Sequence, residues 1–107
     1  MSTFDNREKN FENKYAMDEE LKFKITNRRN KLLGLWAAEK FGKSGEAADA
    51  YAKEVVMSDF ELPGDADVIN KLLKDFAAAG VSVKETDITQ EIAKLEPVAQ
   101  QQIMGGN

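Results

Sequence analysis

Arg28 and Arg29, with Lys31 two positions on, are the residues whose types and spacing most directly suggest chemistry. Two guanidiniums and an ammonium can hold a phosphate or a carboxylate, or the phosphates of a nucleotide, through charge-assisted hydrogen bonds. Adjacent helical residues diverge by about 100°, so one anion engages both arginines only with difficulty. The same three cations also suit a solvated helix face that pairs with acids on a neighbouring helix. Other chemistries have less support. The chain has no cysteine and no histidine, which removes thiolate nucleophiles, disulfides, thiolate metal sites and the usual general base. The GxxxxG-type spacings are not followed by Lys and Ser or Thr, so a phosphate-cradling loop is not indicated. Asp18, Glu19 and Glu20 lack the spaced ligands of a calcium loop, and no metal site is expected. Nothing singles out a working pair among the nineteen carboxylates, so an enzyme is not expected and no tightly bound cofactor is implied.

A length of 107 residues with 42% apolar content suits one domain with one modest core. A net charge of −4 argues against nucleic acid as a partner. No apolar run approaches the roughly 20 residues that span a bilayer, and residues 1–20 lack the order of a signal peptide, so the expected location is cytoplasmic with no direct membrane insertion.

The elements that would position Arg28 and Arg29 are helical. In the stretch Ile25 to Gly42, Ile25, Leu32 and Trp36 fall within about a 40° arc of a helix, with Leu33 and Leu35 on the flanks. That stripe is expected to face the core, and Gly42 after Phe41 is placed to close the helix. Gly34 inside it marks either a close helix approach or an exposed site that tolerates glycine. Ser44 can cap a second helix running to about Phe60, with Ala48, Tyr51, Ala52, Val55 and Val56 on one face. Asp65 can cap a third, with Ile69, Leu72, Leu73, Phe76 and Ala77 as its stripe and Gly80 as its end. A fourth is expected from Asp87, with Gln90 at the reciprocal position and a kink or break near Glu96, because Pro97 removes a donor and crowds the Ala93 carbonyl. Four amphipathic segments without strand alternation predict an all-α four-helix bundle over residues 19–104, with the first helix touching the other three.

Residues 1–18 read differently. Eleven of the first 24 residues are charged, and the apolar content there is mostly aromatic. Asp5 and Glu8 have capping-box spacing, while Asp5 with Lys9, Asp18 with Lys22 and Glu20 with Lys24 are i,i+4 pairs worth about 0.2–0.5 kcal/mol each. Such a segment is expected to be a mobile or marginally helical arm, since short isolated helices are weakly populated in water. The alternative is that it extends the first helix and packs its aromatics on the bundle.

The runs TFDNREKNFENKYAMDEELKFK, RRNKLLGLWAAEKFG and YAKEVVMSDFE together resemble the zeta subunit of alphaproteobacterial ATP synthases. The likeness is close over residues 3–61 and general over the last two helices. It implies a helical bundle, monomeric when free, whose N-terminal arm inhibits the catalytic F1 sector by entering an alpha/beta interface beside gamma, folding there into a helix and blocking rotation in the hydrolytic direction. The positions matching that arm are Phe4, Asp5, Arg7, Glu8, Phe11, Glu12, Lys14 and Tyr15. The aromatics are candidate anchors and the charged residues candidate determinants of register. The resemblance places the protein in the cytoplasm, peripheral to the inner membrane through the ATP synthase, and implies weak binding of ATP or ADP by the bundle. A second reading is a nucleotide- or anion-sensing bundle that uses Arg28, Arg29 or Lys31, with a purely structural arm.

Overall fold

The computed structural model describes residues 19–59 and 64–105, and these form four α-helices with no strand among them. They are α1 (Glu19–Lys40), α2 (Gly45–Met57), α3 (Ala66–Ala79) and α4 (Glu85–Met104). Among the described residues no helix is long and apolar enough to cross a membrane.

α1 ends where its glycine allows it to. Gly42 has φ +82°, and the Gly42 N–H donates to the Glu39 carbonyl at 3.0 Å while the Lys43 N–H donates to that of Ala38 at 2.9 Å. This paired arrangement satisfies carbonyls that the helix end leaves free. Gly80 repeats it at the end of α3, with Gly80 donating to Ala77 and Val81 to Phe76.

The main core gathers Leu33, Ala37 and Ala38 of α1, Ala48, Tyr51 and Val55 of α2, Val68, Leu72 and Phe76 of α3, and Ile88 and Ile92 of α4. α1 packs principally on α2 and α4, and it reaches α3 through Trp36, whose ring meets Phe76 edge-on at 6.0 Å. A smaller cluster of Ile25 and Ala99, with Leu21, Leu32 and Ile103 beside it, joins the start of α1 to the end of α4. The pairings Ile25 with Ala99 and Arg29 with Glu96 show that these two helices run antiparallel.

The buried face of α1 differs from the expected stripe. Ile25 is buried, but Leu32 and Trp36 are only half-buried, and the fully enclosed positions are Asn30, Leu33, Ala37 and Ala38. The face is rotated by about one residue because α2 approaches over small side chains, which a stripe drawn through large ones overlooks. Gly34 makes that approach possible. A Cβ built there would lie 2.6 Å from the Ala52 Cα, so the close-approach alternative is the one realised.

Two helix boundaries and one expected interruption also differ. α2 ends at Met57, with the Ser58 N–H and hydroxyl both directed to the Val55 carbonyl, rather than near Phe60, which lies outside the described residues. α4 begins three residues earlier than expected, with Lys84 rather than Asp87 at the cap position, and Asp87 acts from inside it by accepting the Lys84 N–H at 3.0 Å. The helix then runs unbroken through Pro97. Ala93 and Pro97 are both exposed, so the carbonyl that lost its donor can be hydrated, while Ile92, Ala99 and Ile103 hold the two sides of the proline to α1 and the core.

Candidate functional site

The arm positions Phe4, Asp5, Arg7, Glu8, Phe11, Glu12, Lys14 and Tyr15 lie outside the described residues. What the structure fixes is the helix to which they lead, which starts at Glu19, and the surroundings of Arg28, Arg29 and Lys31.

Those three cations face three directions. Arg28 is half-buried and donates from Nη1 to Gln102 Oε1 on α4 at 3.1 Å. Lys31 is exposed. Arg29 turns inward and keeps only 6% of its surface exposed. Its Nε and Nη2 donate to Asn30 Oδ1 at 3.2 and 2.7 Å, Nη2 also reaches Asp65 Oδ1 at 2.7 Å, and Nη1 reaches Glu96 Oε1 at 3.2 Å. Asn30, fully enclosed, donates from Nδ2 to Asp59 Oδ2 at 2.9 Å. This network ties α1 to both sides of the α2–α3 connection and to α4. Its polar groups are satisfied, as burial of a guanidinium requires.

The network explains a local choice. Asp65 occupies the N-cap position of α3, yet its side chain makes no capping bond. Its carboxylate is directed to Arg29 instead, where charge assistance makes the bond stronger than a neutral cap. Asp65 therefore marks the helix start as its sequence position suggests, but serves the fold through a contact 36 residues away.

Sequence reasoning missed the pairing of a buried arginine with a buried asparagine. A signal was present: Arg29 and Asn30 lie on the same side of the helix as Leu33 and Ala37, within about 80° of both. Asp59, Asp65 and Glu96 supply the acids that make these inward positions tenable for polar side chains.

On the outward side of α1, Lys24, Asn27, Arg28 and Lys31 line a shallow groove of about 350 Å³, with Val56 of α2 and Ile103 of α4 as apolar neighbours. Nearer the helix start, Phe23 is 55% exposed and borders a second groove with Thr26, Asn27 and Asp59. Among the described residues no cluster of acids could hold a metal ion.

A separate polar cluster joins α2 and α3. The Tyr51 hydroxyl donates to Asp75 Oδ2 at 2.7 Å, and Lys71 Nζ contacts Asp75 at 2.9 Å and Glu54 at 3.2 Å while lying 5.2 Å from the Tyr51 ring centre. Burial, aided by the bond to Asp75, raises the Tyr51 pKa above its ordinary value. Burial works to lower the Lys71 pKa, but its bonds to Asp75 and Glu54 outweigh that and raise it. Neither group is poised to exchange protons near neutrality, so the cluster reads as a structural clasp.

A family model described as ATPase inhibitor subunit zeta matches residues 1–102. A solved solution NMR structure is similar at 44% identity with a TM-score of 0.72, the match covering 81% of this chain and 99% of that one. No curated protein matches.

Proposed function

This chain belongs to the ATPase inhibitor subunit zeta family, and from that premise we propose that it restrains an ATP synthase by placing its N-terminal arm in the catalytic sector. It acts as a regulator and not as a catalyst. The arm enters at an alpha/beta interface beside gamma and blocks rotation in the hydrolytic direction. Phe4, Phe11 and Tyr15 anchor it, and Asp5, Arg7, Glu8, Glu12 and Lys14 set its register. The observation that carries this reading is the extent of the family match, which begins at residue 1 and so includes the arm as well as the bundle.

The composition of the arm supports the reading. A segment rich in charges and aromatics but poor in aliphatics gains little from folding alone, and aromatic burial at an interface offsets the cost of ordering it. The bundle then serves as a carrier, with α1 as the rigid element behind the arm. The alternative, a nucleotide-sensing bundle, would have to use Arg28 and Lys31 without Arg29, whose donors are engaged by Asn30, Asp65 and Glu96.

The test adds the full chain, and a chain beginning at Glu19, to the isolated catalytic sector from the same organism. The full chain is expected to suppress ATP hydrolysis and the shortened one, once its helicity and melting are shown to be intact, is expected to leave it unchanged. Equal hydrolysis rates with either chain and with neither would refute the proposal. A parallel titration with ATP and ADP, followed by amide chemical shifts, addresses the alternative: shifts confined to Lys31 and its neighbours would favour it.

A further inference from the structure

Lys24, Arg28 and Lys31 stand at i, i+4 and i+7 on α1, which aligns them along one outward stripe of the helix. We propose that this stripe is a second docking surface, receiving a carboxylate-rich protein surface of the same enzyme that the arm inhibits. The inference rests on the inhibitory reading above.

Three observations carry it. First, the stripe runs against the balance of the chain, placing three cations together in a protein of net charge −4. Among the described residues the acid paired with it is Glu20, at 3.7 Å from Lys24, and both of those side chains are more than half exposed, so the pair neutralises little. Second, Arg28 is oriented by a neutral partner. Its bond to Gln102 fixes the guanidinium without cancelling its charge, whereas the adjacent Arg29 is matched by Asp65 and Glu96. Among the described residues no carboxylate therefore covers Arg28 or Lys31, which lie beside the apolar edges of Val56 and Ile103. Third, the stripe is continuous with the root of the arm. At 1.5 Å rise per residue, Lys24 lies about 8 Å and Lys31 about 18 Å along the axis from Glu19. A large partner that grips the arm up to that point necessarily presents its surface near the stripe.

Exposed charges around an interface act mainly on encounter, by steering the approach, and salt screens that action. The expected signature is thus a salt-dependent association rate. The experiment uses the full chain, the triple variant Lys24→Gln, Arg28→Gln, Lys31→Gln, and the double variant Lys24→Gln, Lys31→Gln, which preserves the Arg28–Gln102 contact. Onset of inhibition of the isolated catalytic sector is followed at about 20 mM and about 300 mM salt, where the Debye length changes from about 20 Å to about 6 Å. At low salt the triple variant should associate about tenfold more slowly and the double variant about threefold, and at high salt all three proteins should converge. Wild-type rates for both variants at both salt concentrations, with inhibition still lost in a Phe11→Ala chain, would overturn the stripe and leave the inhibitory reading standing. A loss of rate that does not change with salt would also overturn it. Failure of the wild-type chain to inhibit at either concentration would overturn both.

Discussion

The inward and outward faces of α1 are built from neighbouring residues and do opposite things. Arg29 is buried, tied to two carboxylates and an asparagine, and has its charge used up inside the molecule. Arg28, one position earlier and half-buried, is held by an amide and carries no carboxylate among the described residues. The inward face continues into Leu33, Gly34, Ala37 and Ala38, where α2 comes close enough that even a methyl group on Gly34 would collide with backbone. The outward face carries Lys24 and Lys31 and forms no core. One helix thus fixes the bundle on one side and remains available to a partner on the other, and at its start it leads into the arm.

That separation predicts that inward substitutions change stability and leave the inhibition by folded protein intact. The largest effect is expected from Leu33→Ala, which empties a fully enclosed site and should cost about 3–4 kcal/mol in urea unfolding. Arg29→Met comes next at about 2–3 kcal/mol: Asp65 and Glu96 can recover water because they are partly exposed, but Asn30 Oδ1 loses both of its donors. Gly34→Ala should cost about 1–3 kcal/mol despite the better helix propensity of alanine, because the obstructing atom is the Ala52 Cα and only a shift of α2 relieves it. Inhibition lost in proportion to none of these stabilities, but abolished by Arg29→Met in fully folded protein, would break the division between the faces.

The smallest effect concerns the α2–α3 clasp, which extends the comparison to a polar cluster with no proposed partner. Tyr51 and Lys71 both have raised pKa values in the folded state. The stability contributed by a group raised in this way is fully present below its unfolded pKa, about 10.0–10.5 here, and is lost as pH rises through the higher folded value. Unfolding measured from about pH 8 to about pH 11 should therefore show declining stability above about pH 10. Asp75→Asn removes a cause common to both shifts and should make that decline shallower.

How far the fold was legible in the sequence depends on which signals were local. The four helices and the two glycine-closed ends at Gly42 and Gly80 follow from residue types acting on their own backbone, whereas Asp65 marks the start of α3 while its side chain serves Arg29. The failures occurred where a distant contact decided. The buried face of α1 differs from its large-residue stripe because Gly34 gains its importance only from the approach of Ala52 and Val55, which sequence periodicity does not contain. Of the kink or break expected near Glu96, the break does not occur, and packing on either side of Pro97 holds the helix together. Arg29 reads in sequence as a candidate anion contact, but Asp65 and Glu96, 36 and 67 residues away, occupy it. The arm was legible as a composition and a family pattern, and its role rests on those.

The central claim is that inhibition resides in the arm and stability in the bundle. The direct measurement pairs two readings on one protein, the full chain with Phe4, Phe11 and Tyr15 replaced by alanine: its melting temperature and its effect on ATP hydrolysis by the isolated catalytic sector. The expected result is melting within about 2 °C of wild type together with loss of inhibition. A variant that melts like wild type and still inhibits like wild type would contradict the claim.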